Sequence, residues 1–266
     1  MRWPRVSRPG LALLLLEAIR LEIVICNSSG ELGAASADRG ARAIQSGIQH
    51  CGLANIIVAT GVSQFATLAA LIGEPDIDWT KVTGFHLDEY IGLPMNHPAS
   101  FRGYLEQRLV DRVTFREFHF IDGEADPQAE CRRLNEIIRR HPIDVAFVGI
   151  GENAHLAFND PPADFATEEP YIVVELDDAC RRQQFGEGWF PAFEDVPKRA
   201  ISMSVRQILK SQTIICCALD DRKAAAVAAS LEGPVTPNVP ASILQQHPDT
   251  WMYLDQAAAA KLQRPT

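Results

Sequence analysis

The sequence has fewer basic than acidic residues and lacks the C-x-x-C spacing of cysteines. Its 266 residues include 25 Lys and Arg against 34 Asp and Glu, which gives a formal net charge of −9 at pH 7. A surface that follows phosphate backbones needs an excess of basic residues, so we expect no nucleic-acid partner. The six cysteines show no C-x-x-C spacing, and several lie in apolar runs where a thiol acts as a small hydrophobic group. This cysteine usage suits a reducing cytoplasm.

Long hydrophobic runs, internal repeats and flexible linkers are also missing. The apolar block Leu11–Leu16 follows Arg2, Arg5 and Arg8, but it is far shorter than the roughly 20 residues of a membrane span. No small-x-small cleavage site follows this block, which disfavours a secretory signal peptide. We therefore expect a cytoplasmic chain without a membrane partner, with residues 1–20 as an unassigned N-terminal extension and residues 21–266 as one α/β domain.

Apolar runs that alternate with helix-like segments predict the fold class. Such alternation is typical of βαβ crossovers, and several runs are continuously apolar, as in sheets covered on both faces. We predict an α/β fold of three α/β/α layers with a mostly parallel, Rossmann-like sheet. The predicted strands are Leu21–Cys26, Asn55–Ala59, Val82–Leu87, Asp144–Ile150, Tyr171–Leu176, Ala200–Val205 and Thr213–Leu219, and the predicted helices are Gly33–Gln49, Ser63–Ile72, Ser100–Arg108, Pro127–Arg140 and Arg222–Leu231.

Sheets of this kind bind ligands beyond the carboxyl ends of their strands, so the residues at those ends are the candidate site. The run Thr60, Gly61, Val62 and Ser63 joins a predicted strand to a predicted helix. A glycine-bearing turn before a helix N-terminus presents free N–H groups to an anion, and phosphate is its natural occupant. One glycine with a serine cap also describes an ordinary connection, and this alternative stays open.

Two carboxylates, Asp88 and Glu89, directly follow the predicted strand Val82–Leu87. A partly desolvated carboxylate at a strand end can have a raised pKa and accept a proton from a substrate. Either residue could instead cap the following turn. We interpret His86, one step inside the strand, as a packing residue.

A histidine, His155, follows a Gly149-x-Gly151 turn and has Asn153 and Asp160 within five residues. Both of these groups can orient an imidazole through its second nitrogen, which makes an acid/base unit plausible beside a purely structural role. The third glycine of a dinucleotide fingerprint is missing. We expect no metal here, because no other His or Cys lies at ligand spacing nearby in the sequence.

The fourth strand end carries Lys223, which could bind phosphate or could be a solvated lysine beside Asp220 and Asp221. A cation at a helix start opposes the helix dipole unless an anion is held there. Taken together, the four strand ends predict an anion cradle, a cation, a carboxylate base and an oriented histidine in one site.

Two motifs resemble the signatures of the glucosamine-6-phosphate deaminase (isomerase) family. The first runs from Phe85 to Pro94 as FHLDEYIGLP and continues with His97-Pro-Ala-Ser-Phe101; the second runs from Gly149 to Pro161 as GIGENAHLAFNDP. The resemblance extends with gaps from about residue 20 to residue 255. It implies hydrolytic deamination of an amino-sugar phosphate, in which glucosamine 6-phosphate and water give fructose 6-phosphate and ammonia, without a metal or organic cofactor.

The resemblance also implies roles for single residues. Asp88 matches the base that moves the C2 proton, His155 the group that assists ring opening, and Asn153 and Asp160 its two supports. Residues 60–63 match the phosphate loop, and Lys223 matches a phosphate-contacting lysine. The substrate class is a small amino-sugar phosphate, and a homo-oligomer is compatible with the family.

Several residues depart from the family pattern. Asn153, Ala154 and Asp160 stand where Asp, Gly and Glu are usual, and the lid arginine of some members aligns near Gly188, so Arg181 or Arg182 would have to replace it. Galactosamine 6-phosphate or another epimer is therefore an alternative substrate, and a non-catalytic sugar-phosphate sensor is an alternative of another class. The D-E-R motif of 6-phosphogluconolactonases, which share the fold, differs from Asp88-Glu-Tyr90.

Overall fold

The structure, a computed structural model, describes residues 20–263. The expectation for the N-terminal extension therefore falls outside the described residues except at Arg20. In the described part of the chain, no helix is both long enough and apolar enough to cross a membrane. The strands are β1 Arg20–Cys26, β2 Ala54–Val58, β3 Val82–His86, β4 Asp88–Tyr90, β5 Glu117–His119, β6 Val145–Gly149, β7 Tyr171–Glu175, β8 Arg199–Met203, β9 Thr213–Ala218 and β10 Asp249–Asp255.

Seven α-helices lie between these strands, together with several short 3₁₀ turns. The helices are α1 Ser29–Cys51, α2 Val62–Leu71, α3 Phe101–Arg108, α4 Pro127–Ile138, α5 Asp178–Gly186, α6 Val205–Ile208 and α7 Ala224–Glu232. Helix α1 begins four residues before its predicted start, because Ser28 caps it by accepting a hydrogen bond from the Glu31 N–H, while the Glu31 carboxylate accepts one from the Asn27 N–H. This arrangement differs from a capping box in that Glu31 binds the N–H of Asn27, the residue before the N-cap, and not that of Ser28.

Seven strands form one parallel sheet in the order β1-β10-β9-β6-β2-β3-β5. All residues of β3 and β9 are buried, which requires helices on both faces of the sheet. The core accordingly divides into two large apolar clusters. The predicted three-layer α/β/α class with a Rossmann-like sheet is confirmed.

The prediction was wrong about the partners of two strands. The runs predicted as Tyr171–Leu176 and Ala200–Val205 do form strands, but β7 and β8 pair antiparallel in a separate three-stranded sheet, order β4-β8-β7. An apolar run indicates a strand and says nothing about its partner. The strands β4, β5 and β10 and the polar helix α5 were not predicted.

The order of the parallel sheet positions the candidate site. The four strands whose ends were singled out, β9, β6, β2 and β3, are direct neighbours in the centre of the sheet. Neighbouring strands lie about 4.8 Å apart, so the four carboxyl ends span only about 15 Å. Residues separated by more than 150 positions in the chain are thereby brought to one edge, where open α/β sheets bind ligands.

Candidate active site

A cleft of about 710 Å³, counting its open mouth, lies at the carboxyl ends of these four strands. It brings together seven of the nine predicted site residues: Thr60, Gly61, Val62, Ser63, Asp88, His155 and Lys223. The other two, Asn153 and Asp160, do not line the cleft and stand behind His155. The cleft thus contains every group type that the four strand ends predicted.

The loop after β2 is built to receive an anion. Gly61 has φ 105° and ψ 160°, a conformation open almost only to glycine, and it serves as the N-cap of α2 without a side-chain hydrogen bond. The first N–H groups of α2 therefore keep free hydrogen-bonding capacity at the positive end of the helix dipole. The Thr60 hydroxyl oxygen is buried and has no hydrogen-bond partner among the described residues. An oxyanion in the cleft would accept hydrogen bonds from these N–H groups and from the Thr60 hydroxyl.

The two carboxylates after β3 have different surroundings. Glu89 stabilises the start of a helix, whereas Asp88 faces the cleft. The fully buried Glu89 accepts hydrogen bonds from the N–H groups of Tyr90, Phe101 and Arg102 and from the Ser100 hydroxyl, at 2.6 to 3.3 Å. Because Ser100 is the N-cap of α3, Glu89 is a structural carboxylate that holds the start of this helix. The capping alternative is thus correct for Glu89.

Asp88 faces the cleft and is only 7% exposed. Burial, and secondarily the negative charge of Glu89, raise the pKa of Asp88 to about 8. Such a carboxyl group is poised near neutral pH, as a general base must be. His86, the preceding strand residue, is fully buried and does not line the cleft, which agrees with its interpretation as a packing residue.

His155 is oriented by the two residues behind it. Its Nδ1 lies 3.1 Å from Asp160 Oδ1, although the N–H direction is not well aligned with that oxygen. The Asn153 amide donates to the same oxygen at 3.0 Å, and its carbonyl accepts the His155 backbone N–H at 3.2 Å. Burial alone would raise the pKa of Asp160, but the His155 contact and these hydrogen bonds outweigh it and lower the pKa. Asp160 is therefore held as a carboxylate beside the imidazole.

Gly151 explains the Gly-x-Gly turn that precedes the histidine. A Cβ added at Gly151 would lie 2.3 Å from both Cε1 and Nε2 of His155, far inside van der Waals contact. The absence of a side chain at Gly151 therefore leaves the space that the imidazole ring occupies.

The fold places a cysteine near His155, although no other His or Cys lies at ligand spacing in the sequence. Cys180, from the unpredicted helix α5, lies close to His155 and Asp160, and one donor atom of each lies within 4.8 Å of the others. These three residues could hold a soft metal ion. However, both oxygens of Asp160 already accept hydrogen bonds, from the Asn153 amide and the Asp177 N–H. The absence of a metal stays a prediction.

Lys223 reaches the cleft from the 3₁₀ turn Asp221–Lys223 that precedes α7. Burial lowers the pKa of Lys223, against the opposing effect of Glu152 and Glu187, so this is a buried ammonium group rather than a solvated surface lysine. The neighbouring Arg222 also lines the cleft, which the sequence analysis did not foresee.

The comparisons agree with this geometry. The sequence model of the family described as glucosamine-6-phosphate isomerases/6-phosphogluconolactonase matches residues 27–252. The chain belongs to this family. It is 35% identical to a glucosamine-6-phosphate deaminase of Lactobacillus delbrueckii subsp. bulgaricus, over 91% of this chain and 100% of that protein, and 38% identical to one of Oenococcus oeni, over 92% and 100%.

Solved structures show the same relationship. A monomeric glucosamine-6-phosphate deaminase superimposes with a TM-score of 0.81 at 30% identity, covering 90% of this chain and 99% of its own. A 6-phosphogluconolactonase from Trypanosoma brucei reaches a TM-score of 0.74 at 18% identity, covering 92% and 100%. The second similarity shows a shared fold alone.

Two departures from the family pattern are accommodated in the structure. Asp160, one methylene shorter than the usual Glu, still approaches His155 directly. Ala154 adopts φ 65° at the position where glycine is usual, so the chain accepts a left-handed conformation that costs a non-glycine residue about 1–2 kcal/mol.

The expected replacement of the lid arginine was wrong. The Arg181 guanidinium donates to the carbonyls of Val196 and Phe193 and stacks on the Phe193 ring, and Arg182 also lies over that ring. Neither arginine lines the cleft. Helix α5 and the residue after it instead contribute Gln183, Gln184 and Glu187 to the wall. These three residues were not predicted, because the polar sequence of α5 has no apolar stripe that would indicate a helix.

The raised pKa of Asp88 predicts a pH-dependent loss of stability. Between the pKa of an unfolded aspartate, about 4, and about 8, the folded protein keeps this proton while the unfolded chain releases it, so stability falls as pH rises. Asp88→Asn should therefore be more stable than the native protein at pH 8 and gain less at pH 5. Urea unfolding at both pH values measures this. The same change at the exposed Asp111 is the control, and a pH-independent difference for Asp88→Asn would contradict the assignment.

Proposed function

We propose that this protein is an amino-sugar phosphate deaminase that converts glucosamine 6-phosphate and water to fructose 6-phosphate and ammonia. The observation that carries the proposal is the meeting of Asp88, His155 and Lys223 with the free N-terminus of α2 in one cleft. Relatives named glucosamine-6-phosphate deaminase, 35–39% identical over most of this chain, support the same activity.

The phosphate is the anchor in this proposal. Residues 60–63 offer it backbone N–H groups and the unpartnered Thr60 hydroxyl, and Lys223 offers a buried positive charge. Binding energy from this unreactive end of the sugar holds the reacting carbons against the catalytic groups and thereby lowers the entropic barrier of the later steps.

His155 assists opening of the pyranose ring. Its Nδ1 side is occupied by Asp160, so the rest of the ring is left to meet the sugar. The imidazole transfers a proton between O1 and O5 as the C1–O5 bond breaks, which yields the open-chain aldehyde. A carboxylate at Nδ1 stabilises the imidazolium that forms during this transfer.

Asp88 then moves the C2 proton. The carboxylate takes the proton from C2, the electron pair forms the C1–C2 double bond of an enolamine, and the aldehyde oxygen becomes a hydroxyl by accepting a proton from the His155 imidazolium, which regains it when the final hydrolysis releases a proton. Asp88 returns the proton to C1, which leaves an iminium at C2. Water adds to C2, ammonia leaves, and the C2 ketone of fructose 6-phosphate remains. Burial of Asp88 strengthens it as a base relative to an exposed aspartate.

Galactosamine 6-phosphate remains the alternative substrate, because the same groups would act on an epimer. Lactone hydrolysis is disfavoured by Tyr90, which replaces the arginine of the lactonase motif and buries its hydroxyl in a 2.7 Å hydrogen bond to Gln184. A sensor without catalysis would have no use for a desolvated Asp88 in contact with the ligand.

The cellular location, the oligomeric state and the domain organisation belong to the same proposal. All six cysteines are free thiols, which supports a reducing cytoplasmic location. The proposed site is compatible with a homo-oligomer. We take the described residues as one catalytic domain, because both sheets and the helices α2, α3 and α5 contribute residues to this cleft.

An ammonia-release assay with glucosamine 6-phosphate and galactosamine 6-phosphate in parallel tests the proposal. We expect release from glucosamine 6-phosphate, and Asp88→Asn should lower turnover by roughly three orders of magnitude, since a required acid/base group is lost. Asp111→Asn serves as the matched control with unchanged turnover. Full activity of Asp88→Asn would remove Asp88 from the mechanism, and release from galactosamine 6-phosphate alone would reassign the substrate.

The contact of Gly151 with His155 generates a second prediction. Gly151→Ala should displace the imidazole and lower kcat roughly 100-fold, because a misplacement of about 1 Å is enough for such a loss. Gly186→Ala is the control, since no atom lies within 4 Å of its added Cβ, and it should keep native activity. Thermal unfolding verifies that both variants fold. Equal kcat in the two variants would show that Gly151 does not position His155.

A further inference from the structure

Arg222 lies at the mouth of the cleft, next to Lys223 in the turn between β9 and α7. Nearly half of its side chain is exposed. Within the described part of the chain, Arg222 and Lys223 are the only Arg and Lys side chains that line this cleft. The role proposed above for the cleft assigns no function to Arg222.

The Arg222 guanidinium contacts two carboxylates, those of Asp220 and Glu152. Nε and Nη2 lie 3.2 and 2.8 Å from the oxygens of Asp220, and Nη1 lies 3.4 Å from Glu152 Oε1. More than a third of the Asp220 side chain and about a third of the Glu152 side chain are exposed. Ion pairs between exposed groups contribute little to stability, so Arg222 can exchange these partners for a stronger anion at small cost.

The turn that carries Arg222 has a strained residue. Asp220 adopts φ 70°, a left-handed conformation unusual for a residue other than glycine, and its backbone N–H donates to Asp255 Oδ2 at 3.1 Å. Its side chain caps the turn by accepting the Arg222 N–H at 3.0 Å. Strain of this kind persists where the surroundings fix it, and here it places two consecutive cations at the cleft.

The cleft needs a second cation on electrostatic grounds. A phosphate monoester carries close to two negative charges near pH 7, and the carboxyl groups of Glu187 and Asp220 already line the cleft beside Asp88, which is largely protonated at that pH. Lys223 supplies a single positive charge. Helix α5 supplies none, because Arg181 and Arg182 are packed on Phe193 outside the cleft.

We infer that Arg222 is a second phosphate-binding residue that leaves Glu152 and turns to the substrate phosphate when the sugar binds. This inference rests on the proposed function, since it deepens the phosphate site of the same cleft. The planar guanidinium can donate two parallel hydrogen bonds to one phosphate group, which a lysine cannot do. Together, Arg222 and Lys223 balance the charge of the phosphate dianion.

Equilibrium binding measures this role without catalysis. Isothermal titration of fructose 6-phosphate in ammonia-free buffer, and of inorganic phosphate, should give a Kd about tenfold or more higher for Arg222→Gln than for the native protein. The Kd of Arg222→Lys should lie between the other two values, because lysine keeps the positive charge but cannot donate two parallel hydrogen bonds to the phosphate. Arg182→Gln is the matched control: it removes one positive charge from the same region of the surface and should change Kd less than twofold.

A gain of affinity provides a second test that does not depend on loss of function. Glu152→Gln removes a competitor for the guanidinium, so it should lower the Kd for both ligands a few-fold in the native background and by a clearly smaller factor in Arg222→Gln, where Glu152 acts only on Lys223. Neutral glucose, which lacks the phosphate, should show no dependence on Arg222.

The outcomes separate this inference from the proposed function. Equal Kd values for native protein and Arg222→Gln, or an equal loss in Arg182→Gln, would overturn the role of Arg222 and leave the phosphate site itself intact. If the native protein binds neither fructose 6-phosphate nor inorganic phosphate at millimolar concentrations, the phosphate site is wrong and both proposals fail. Ammonia release is measured separately and decides the reaction alone.

Discussion

The candidate site depends on how one pair of neighbouring carboxylates is buried. Glu89 receives four hydrogen bonds, three of them from the start of α3, and these replace the water that its oxygens lose. Asp88 shares the burial and the proximity of a second carboxylate, and burial and Glu89 together raise its pKa. The difference arises because β4 turns successive side chains to opposite sides, one toward α3 and one toward the cleft. The cost of burying Asp88 is the source of its basicity.

The parallel sheet brings the other groups to this carboxylate. Because β9, β6, β2 and β3 are neighbours, Lys223, His155 and the N-terminus of α2 end at the same edge as Asp88. The small antiparallel sheet closes the site: β4 begins with Asp88, and a separate apolar cluster including Tyr90, Phe158 and Phe190 packs around it. The packed core thus fixes the base, while the cations lie on a short turn in which Lys223 is buried and Arg222 is exposed.

Much of this site could be predicted from the sequence, since it stands at the ends of continuously apolar strands. The direction of a parallel strand fixes the edge of the sheet at which the following residues lie, so Asp88 after β3 and Lys223 after β9 could be placed at that edge without knowing any tertiary contact. Contacts made by polar elements could not be predicted in this way. Cys180 and Gln184 lie on a helix with no apolar stripe, and Arg222 differs from a surface arginine only through the fold around it. Similarly, the apolar run of β7 predicts a strand, whereas its antiparallel partner depends on chain connections that no local pattern records.

The pH dependence of kcat/KM for glucosamine 6-phosphate tests the central claim most directly, because it reports ionisation of the free enzyme. A buried Asp88 that must lose its proton before it can act predicts an activity that rises with pH through a group with a pKa of about 8. Solvent-exposed aspartates ionise near pH 4. A profile that is already flat from pH 5 to pH 9 would contradict the account, since the base would then be an ordinary, solvated carboxylate.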